Sequence, residues 1–367
     1  MISMIIFAII GFIITLLLLV TVHEFGHFWV ARRLGVKVLR FSIGFGRPLF
    51  QWKDKQGIEY VIGLLPLGGY VKLLDEDEAP VPEAEKHLAL GSQSALRRIA
   101  IVIAGPVSNF LLAILLYWGV FVIGLQSLIP IVGEVVPNSI AAKAGLKPQQ
   151  EIVSIDRKPI LSWTDARLML MGYLGDKNPV PIELRDTQTS KLSEAHLDLS
   201  HWKLENQSKG MIVSLGINPY VPPDAIQDKF IRTKQYSAFS AIWPAIQNTV
   251  MMTELTFTLI GKLILGKVSL EMISGPIGIA IIAGQSFSFG FVYYLGFLAM
   301  VSISLAVINV LPVPVLDGGY LFYYLIEFIF RRPLSKKVQL FGLRLGLLIV
   351  LGVMIFTIYN DVFRLFT

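Results

Sequence analysis

Two histidines and a glutamate near the start of the chain have the types and spacing of a metal site. If His23-Glu-Phe-Gly-His27 is helical, both imidazoles lie one turn apart on the same face, where their nitrogens can bind one zinc ion. Glu24 lies beside them and can hold a water molecule, which is the arrangement that a metal-dependent protease needs. The pattern therefore predicts zinc catalysis.

The simpler interpretation is that these are ordinary histidines packed in an apolar helix. A chance match to this five-residue pattern in a chain of this length is an event of about one per cent. No charged side chain occurs from Met1 to Val22, and three ionisable groups then arrive together. Ionisable groups in a membrane-length apolar segment are costly and are usually functional, so the sequence favours the metal site.

Composition places the chain among integral membrane proteins. Of 367 residues, 54% are hydrophobic and only 16% are charged, and the mean hydropathy is +0.64. There is no cysteine, so a metal must take its ligands from His, Asp and Glu. The net charge of +6 comes from Lys and Arg beside apolar runs, which does not indicate nucleic-acid binding.

The first predicted transmembrane helix, residues 1–34, carries the two histidines. Arg32 and Arg33 follow its apolar run, so its C-terminal end is predicted to lie in the cytoplasm. Neither Lys nor Arg precedes Glu24, which argues against a cleaved signal peptide. At 1.5 Å per residue His23 lies about 14 Å along the helix from Arg32, so the metal would sit inside the bilayer, on its cytoplasmic side.

Residues 35–95 are predicted to form membrane-associated β-hairpins on the cytoplasmic side, followed by an acidic loop. The apolar stretches 36–46 and 58–73 are β-rich and interrupted by glycines. One possible use is an open strand edge along 58–64, on which an unwound substrate could pair. A small structural sheet is an equally good explanation.

Three more spans follow from apolar runs and their flanking charges, within residues 96–125, 287–330 and 331–367. Between the first two of these, residues 126–222 have short alternating strands and the length of one small soluble domain. Residues 223–286 contain polar interruptions, which predict amphipathic helices at the outer membrane surface rather than a fifth crossing. The predicted fold class is thus an α-helical membrane protein with four transmembrane helices, membrane-associated hairpins and one extracytoplasmic, mainly β domain.

Asp317 is the predicted third zinc ligand. Between Phe287 and Phe330 the only formally charged side chains are Asp317 and Glu327, and prolines and glycines break the helix beside Asp317. Such a break at membrane depth is tolerated only where it lines a cavity or the protein interior. The acidic run 75–78 offers rival carboxylates. Four crossings put Asp317 on the same side as His23, whereas a fifth would separate them.

These motifs resemble the site-2 protease family of intramembrane zinc metalloproteases, and within it the bacterial type that regulates the sigma-E stress response. The resemblance covers almost the whole chain and rests on four motifs: His23-Glu-Phe-Gly-His27, Gly44-Phe-Gly46, Gly105-Pro-Val-Ser-Asn109 and Asn309-Val-Leu-Pro-Val-Pro-Val-Leu-Asp-Gly-Gly319. It implies one zinc ion bound by His23, His27 and Asp317, with Glu24 activating the water. The residues taken as substrate-binding are Asn309, Asn109, Gly44, Gly46, Ile62, Pro312 and Pro314.

The segment Gly133–Leu146 resembles a PDZ domain, and the insert has room for only one. Gln150-Glu151 and Asp156-Arg157 depart from the usual Gly-Asp and Asp-Gly pairs. The resemblance implies a multi-pass protein of the bacterial cytoplasmic (inner) membrane, with this domain in the periplasm. Implied partners are the lipid bilayer, single-span substrates of the anti-sigma-factor type, remnant signal peptides, and an upstream site-1 protease acting on the same substrate.

Two other functional classes remain to be separated from proteolysis. Buried polar groups and broken helices also mark transporters, for which ion flux would survive Glu24→Gln. A membrane scaffold with a degenerate site is the second alternative, although all four proposed reaction residues are present.

Overall fold

The computed structural model describes residues 2–76, 79–200, 202, 211–223 and 230–366. Ten α-helices are seen in these ranges: α1 Ile2–Arg33, α2 Ala95–Ile123, α3 Ile140–Lys143, α4 Trp163–Met171, α5 Met211–Ser214, α6 Ile242–Ile264, α7 Pro276–Phe289, α8 Phe291–Val310, α9 Asp317–Phe330 and α10 Lys336–Phe366. The same ranges contain ten strands: β1 Val38–Lys53, β2 Glu59–Leu73, β3 Leu125–Leu128, β4 Val132–Val135, β5 Gln150–Ile155, β6 Lys158–Pro159, β7 Val180–Asp186, β8 Leu192–Leu197, β9 Ile217–Pro219 and β10 Ile231–Lys234.

Within the described ranges, four helices are long and apolar enough to cross a membrane. They occupy Ile5–Arg33, Ala95–Ile123, Phe291–Val310 and Lys336–Arg364. The predicted number of four spans is therefore confirmed. The segment 236–266, whose polar residues argued against a crossing, contains α6, and this helix is not among the four.

The chain divides into two compact units. The first comprises Met1–Val120, Ser240–Thr253 and Ile273–Thr367, and the second comprises Phe121–Phe239 and Glu254–Met272. The first unit contains the histidines, Asp317 and the hairpin strands. The second contains the strands predicted for the soluble insert.

In the first unit, the long strands β1 and β2 pair with each other. Each strand bends and contributes two segments, so the sheet has four segments side by side. Segment 59–62 pairs with 40–43 on one side and with 50–53 on the other, while 40–43 also pairs with 69–72. The prediction of an open edge along 58–64 is therefore wrong for most of that segment, because 59–62 has a partner strand on both sides. The outer segments are 48–53 and 69–73, and no described strand flanks either of them on its outer side.

Helix α7 differs from the amphipathic surface helix predicted up to residue 286. It has no charged side chain and packs along α1. A Cβ added at Gly284 would lie 2.7 Å from the Ala8 Cα, so the two backbones are in direct contact. The buried Asp361 carboxylate on α10 accepts hydrogen bonds from the Gly275 and Gly278 N–H groups, at 3.0 and 2.9 Å, and so caps the N-terminal end of α7.

Polar contacts connect α8 to the helices on which the site is built. The Tyr294 hydroxyl lies 2.8 Å from the Gly11 carbonyl oxygen and 3.0 Å from the Thr15 hydroxyl of α1. The Ser302 hydroxyl donates to the Asn109 carbonyl of α2, at 2.8 Å. All three side chains are buried, where polar groups need such partners. These contacts hold the start of α8 against α1 and its middle against α2.

The second unit has an antiparallel four-stranded sheet in the order β6-β5-β7-β8, with β4 pairing with β9 separately. Strands β4, β5, β7 and β8 lie within residues 126–222, where short strands were predicted. The Lys262 ammonium donates to the Gly172 and Leu174 carbonyls and to Asp176, at 2.6, 2.9 and 2.8 Å. These contacts explain why a lysine interrupts the apolar pattern of α6: its charge is satisfied inside the second unit.

Candidate metal centre

The two histidines lie on one face of α1, as their spacing predicts. The helix is continuous from Ile2 to Arg33, and the two imidazole Nε2 atoms are 3.3 Å apart. His23 is buried, with 7% of its surface exposed. At this distance one metal ion can bind both nitrogens.

Asp317 completes the cluster from the first position of α9. Its Oδ2 atom is 2.9 Å from His23 Nε2 and 3.3 Å from His27 Nε2. In the part of the chain that the structure describes, this is the one group of three His, Cys, Asp or Glu residues placed to hold a metal ion, with all ligand atoms within 4.8 Å. The structure thus brings together the three residues predicted as ligands, although they are almost 300 residues apart.

The donor atoms fit a tetrahedral zinc ion. Two ligand atoms that are each about 2.0–2.1 Å from zinc lie about 3.3 Å apart in tetrahedral geometry. The distances between the imidazole nitrogens and from His27 to Asp317 have this value. The buried Asp317 Oδ2 accepts no hydrogen bond from the described residues, as expected for an atom that binds a metal. Three protein ligands leave a fourth position for water, which is typical of catalytic zinc sites.

A backbone carbonyl sets the orientation of His27. The Nδ1 atom of this ring lies 2.8 Å from the Ile101 carbonyl oxygen on α2. A carbonyl only accepts, so Nδ1 carries the hydrogen and the lone pair of Nε2 faces the cluster. This outer partner is of the kind that holds zinc-binding histidines in the correct tautomer.

Asn109 is the corresponding partner of His23. Its side-chain amide nitrogen lies 3.3 Å from His23 Nδ1, and its Oδ1 is buried without a partner among the described residues. A half-turn of the amide places Oδ1 against Nδ1, where it accepts the ring N–H. Both polar groups are then satisfied and the lone pair of His23 Nε2 is free to bind metal.

We predict that Asn109→Ala lowers the affinity for zinc about 10-fold to 100-fold, the usual cost of losing an outer-shell partner of a ligand. The measurement is zinc competition against a chelator, with full-length protein in detergent. Ser302→Ala is the matched control, because it removes only the hydrogen bond to the Asn109 backbone. Equal affinities in the two variants would show that Asn109 does not support His23.

Two glycines bring α1 and α2 close together. A Cβ added at Gly105 would fall on the His27 ring, 2.6 Å from Cε1, and one added at Gly26 would lie 2.8 Å from the Ala104 carbonyl carbon. Helix α2 runs unbroken from Ala95 to Ile123, with Gly105 and Pro106 inside it. Small residues at 104, 105 and 108 in a membrane span were the available signal for close packing.

Glu24 faces the outer segment of β2. The Val71 N–H donates a hydrogen bond to its carboxylate. A Cβ added at Gly69 would lie 3.0 Å from the Glu24 Cγ. The carboxylate next to the metal cluster therefore lies beside segment 69–73, which is one of the two open edges of the hairpin sheet.

The remaining predicted residues lie on α8, on strands β1 and β2, and in the loop before α9. Asn309 is partly buried in the last turn of α8, and Pro312 and Pro314 lie in the loop that leads to Asp317. Gly44 and Gly46 have φ angles of +87° and +86°, which only glycine adopts readily. Ile62 lies in segment 59–62, which has a partner strand on both sides, so only the Ile62 side chain can contact a substrate there. Substrate contact at these positions stays a prediction.

The rival carboxylates of the acidic run do not join this cluster where they are described. Asp75 and Glu76 are outside the three-residue group. Asp77 and Glu78 lie outside the described residues.

Comparison with known proteins identifies the family. The model of peptidase family M50 matches residues 11–353. The chain belongs to peptidase family M50. The regulator of sigma-E protease RseP of Salmonella typhimurium strain 14028s is 37% identical, and the protein of the same name in Escherichia coli strain K12 is 36% identical. A putative zinc metalloprotease of Vibrio cholerae is 35% identical, and each alignment covers 97% of this chain and 98% of the relative.

Membership of family M50 makes the chain a zinc metalloprotease of the site-2 type. With four helices apolar and long enough to cross a membrane, it is a multi-pass membrane protein. The cluster of His23, His27 and Asp317 has the donor atoms that this zinc chemistry needs.

Proposed function

We propose that this protein cleaves transmembrane segments of single-span membrane proteins, with His23, His27 and Asp317 as zinc ligands and Glu24 as the general base. The observation that carries the proposal is the cluster of ligand atoms within 4.8 Å on a helix of membrane-spanning length and composition. His23 lies about 14 Å along α1 from Arg32, so the cluster is within reach of a peptide bond inside the bilayer.

In this mechanism the chain's own residues position the reactants and move the proton. Zinc held by His23, His27 and Asp317 would supply a bound water molecule with a pKa near 7 and would polarise the scissile carbonyl. Glu24 accepts a proton from that water and passes it to the leaving nitrogen, which is general acid–base catalysis by one carboxylate. Asn109 and the Ile101 carbonyl hold the two imidazoles in the tautomer that presents Nε2.

A helical substrate must unwind before its carbonyl can be attacked, and segment 69–73 offers a place for the unwound backbone. This edge lies beside Glu24: the Val71 N–H donates to the carboxylate, and a Cβ added at Gly69 would lie 3.0 Å from the Glu24 Cγ. An added strand along 69–73 would have its backbone hydrogen-bonded and its carbonyls next to the metal cluster. The edge predicted along 58–64 is replaced by this one.

The hairpin sheet also has the surface of a membrane-associated element. Its large exposed side chains include Phe45, Leu49, Phe50, Trp52 and Leu64, which are 44–67% exposed. So many exposed apolar groups on one small sheet support its insertion among lipids on the cytoplasmic side.

The physiological setting follows by analogy with the relatives. Two relatives are named regulator of sigma-E protease, which supports a role in a sigma-E pathway. For this chain the proposed substrate in that pathway is an anti-sigma factor already cut by a site-1 protease, and remnant signal peptides are proposed as further substrates. The location is the bacterial inner membrane, with a PDZ-like domain over residues 126–222 in the periplasm. The alignments run over 443 and 442 positions against 367 residues here, so the relatives have sequence that this chain lacks, which supports a single such domain.

A synthetic single-span substrate in proteoliposomes tests this proposal without altering the enzyme. We expect cleavage within the apolar segment, with the cut located by mass spectrometry. One backbone amide near the cut is then N-methylated at a time. Loss of cleavage should alternate along the sequence, because alternate N–H groups of a strand face the same side.

N-methylation far from the cut, at the other end of the span, is the control and should leave the rate unchanged. A cut outside the apolar segment would contradict the proposed substrate class. Loss without alternation would contradict strand pairing and leave the protease assignment intact.

A further inference from the structure

Helix α10 is in direct backbone contact with the loop that carries Asp317. A Cβ added at Gly346 would fall on the Pro314 carbonyl oxygen and would lie 2.6 Å from the carbonyl carbon. Contacts this short do not occur at real Cβ atoms, and the obstacle is backbone rather than the end of a flexible side chain. Gly346 is therefore the residue that lets α10 approach the loop.

The first turn of α9 also confines this loop. A Cβ added at Gly319 would lie 2.6 Å from the Pro314 Cα, and one added at Gly318 would lie 2.6 Å from the Leu311 carbonyl carbon. Between these contacts Val315 has a φ of 103°, a conformation that a β-branched residue keeps only when its surroundings enforce it. The loop thus has no room to absorb a displacement at Pro314.

Pro314 is only three residues before Asp317, so a shift of the loop moves the carboxylate. The Asp317 Oδ2 must stay within about 3.3 Å of both imidazole nitrogens to share one zinc ion with them. Displacement of such a ligand by even a fraction of an ångström weakens metal binding.

We propose that Gly346 is a positioning residue of the metal centre. Because Gly346 lets the Pro314 carbonyl contact α10, it fixes the position of Asp317 relative to His23 and His27. The last transmembrane helix, which contributes no ligand, thereby determines the metal affinity of the site. This inference rests on the proposed role of Asp317 as a ligand.

Gly352 provides a matched control on the same helix. A Cβ added there meets nothing within 4 Å. Gly346→Ala and Gly352→Ala give the helix the same gain in intrinsic propensity, so they differ in the contact with Pro314. Gly342 is intermediate, because its Cβ would meet the movable Tyr323 hydroxyl and would lie 3.4 Å from the Pro314 Cγ.

The experiment measures metal binding by the full-length protein in detergent, by zinc competition against a chelator and by the absorption spectrum of the Co²⁺-substituted protein. We expect Gly346→Ala to lower zinc affinity about 10-fold to 100-fold and to change the Co²⁺ spectrum, since the ligand geometry is altered. Gly352→Ala should match the wild type in both measurements. If Gly346→Ala cannot be recovered folded, Gly342→Leu is measured instead. Its side chain would contact the same proline and should also lower the affinity for zinc.

Wild-type affinity and spectrum in Gly346→Ala, or an equal loss in Gly352→Ala, would overturn the inference. Asp317→Asn is measured in parallel. If it too binds zinc as the wild type does, the ligand assignment is the part that fails. If it loses zinc while Gly346→Ala does not, only the positioning role fails.

Discussion

Replacing Glu24 by glutamine is expected to lower the rate of proteolysis by about 10²-fold to 10⁴-fold, the usual contribution of a positioned general base. The amide keeps the size of the carboxylate but cannot accept the proton. Because Glu24 is not one of the three ligands in the cluster, zinc content should stay that of the wild type. The measurement is the initial rate of cleavage of a single-span substrate in proteoliposomes, with zinc quantified in the same samples by mass spectrometry.

Glu254→Gln is the matched control, because it removes the same charge from an exposed residue. Glu254 lies on α6, far along the chain from the cluster. It should cleave at the wild-type rate. Substantial proteolysis by Glu24→Gln with full zinc content would remove Glu24 from the mechanism. Loss of zinc in this variant would instead give it a structural role at the metal.

Asp317→Asn is expected to remove most bound zinc and, with it, proteolysis. Two imidazoles without a carboxylate leave one protein ligand fewer than catalytic zinc sites use. The loss of affinity should exceed the roughly 10-fold to 100-fold that is typical of outer-shell partners, and so should exceed that of Asn109→Ala. Chelator competition on the two variants side by side gives this comparison directly.

Glu327→Gln is the control for Asp317→Asn. Both acidic residues lie on α9, but Glu327 forms its ion pair with Arg98 of α2 rather than joining the cluster. Its zinc affinity should equal that of the wild type. The ligand assignment would be contradicted if Asp317→Asn retained stoichiometric zinc at the same chelator concentration.

Much of the site could be predicted from sequence because charge is rare in this chain's apolar segments. His23, Glu24 and His27 stand out against a charge-free run, and Asp317 stands out for the same reason. The four spans followed from length and flanking basic residues. In each case the physical cost of a polar group in lipid made a single residue informative.

What could not be predicted depends on contacts between distant segments. The open edge of the hairpin sheet depends on how β1 folds over at Gly44 and Gly46, and strand composition does not contain that register. The roles of Gly105 and Gly346 require knowing that the first faces the His27 ring and the second faces the Pro314 carbonyl. Helix α7 was missed because an apolar helix of 14 residues can lie in several environments, and its packing along α1 decides among them.

The most direct test of the account is X-ray absorption at the zinc edge on purified wild-type protein, with metal content measured on the same sample. We expect one zinc per chain, with two imidazole nitrogens and oxygen donors at about 2.0–2.2 Å. This shell would match His23, His27, Asp317 and a water molecule. Substoichiometric zinc after purification without chelators, or a shell with fewer than two imidazoles, would contradict the proposed metal centre and the mechanism built on it.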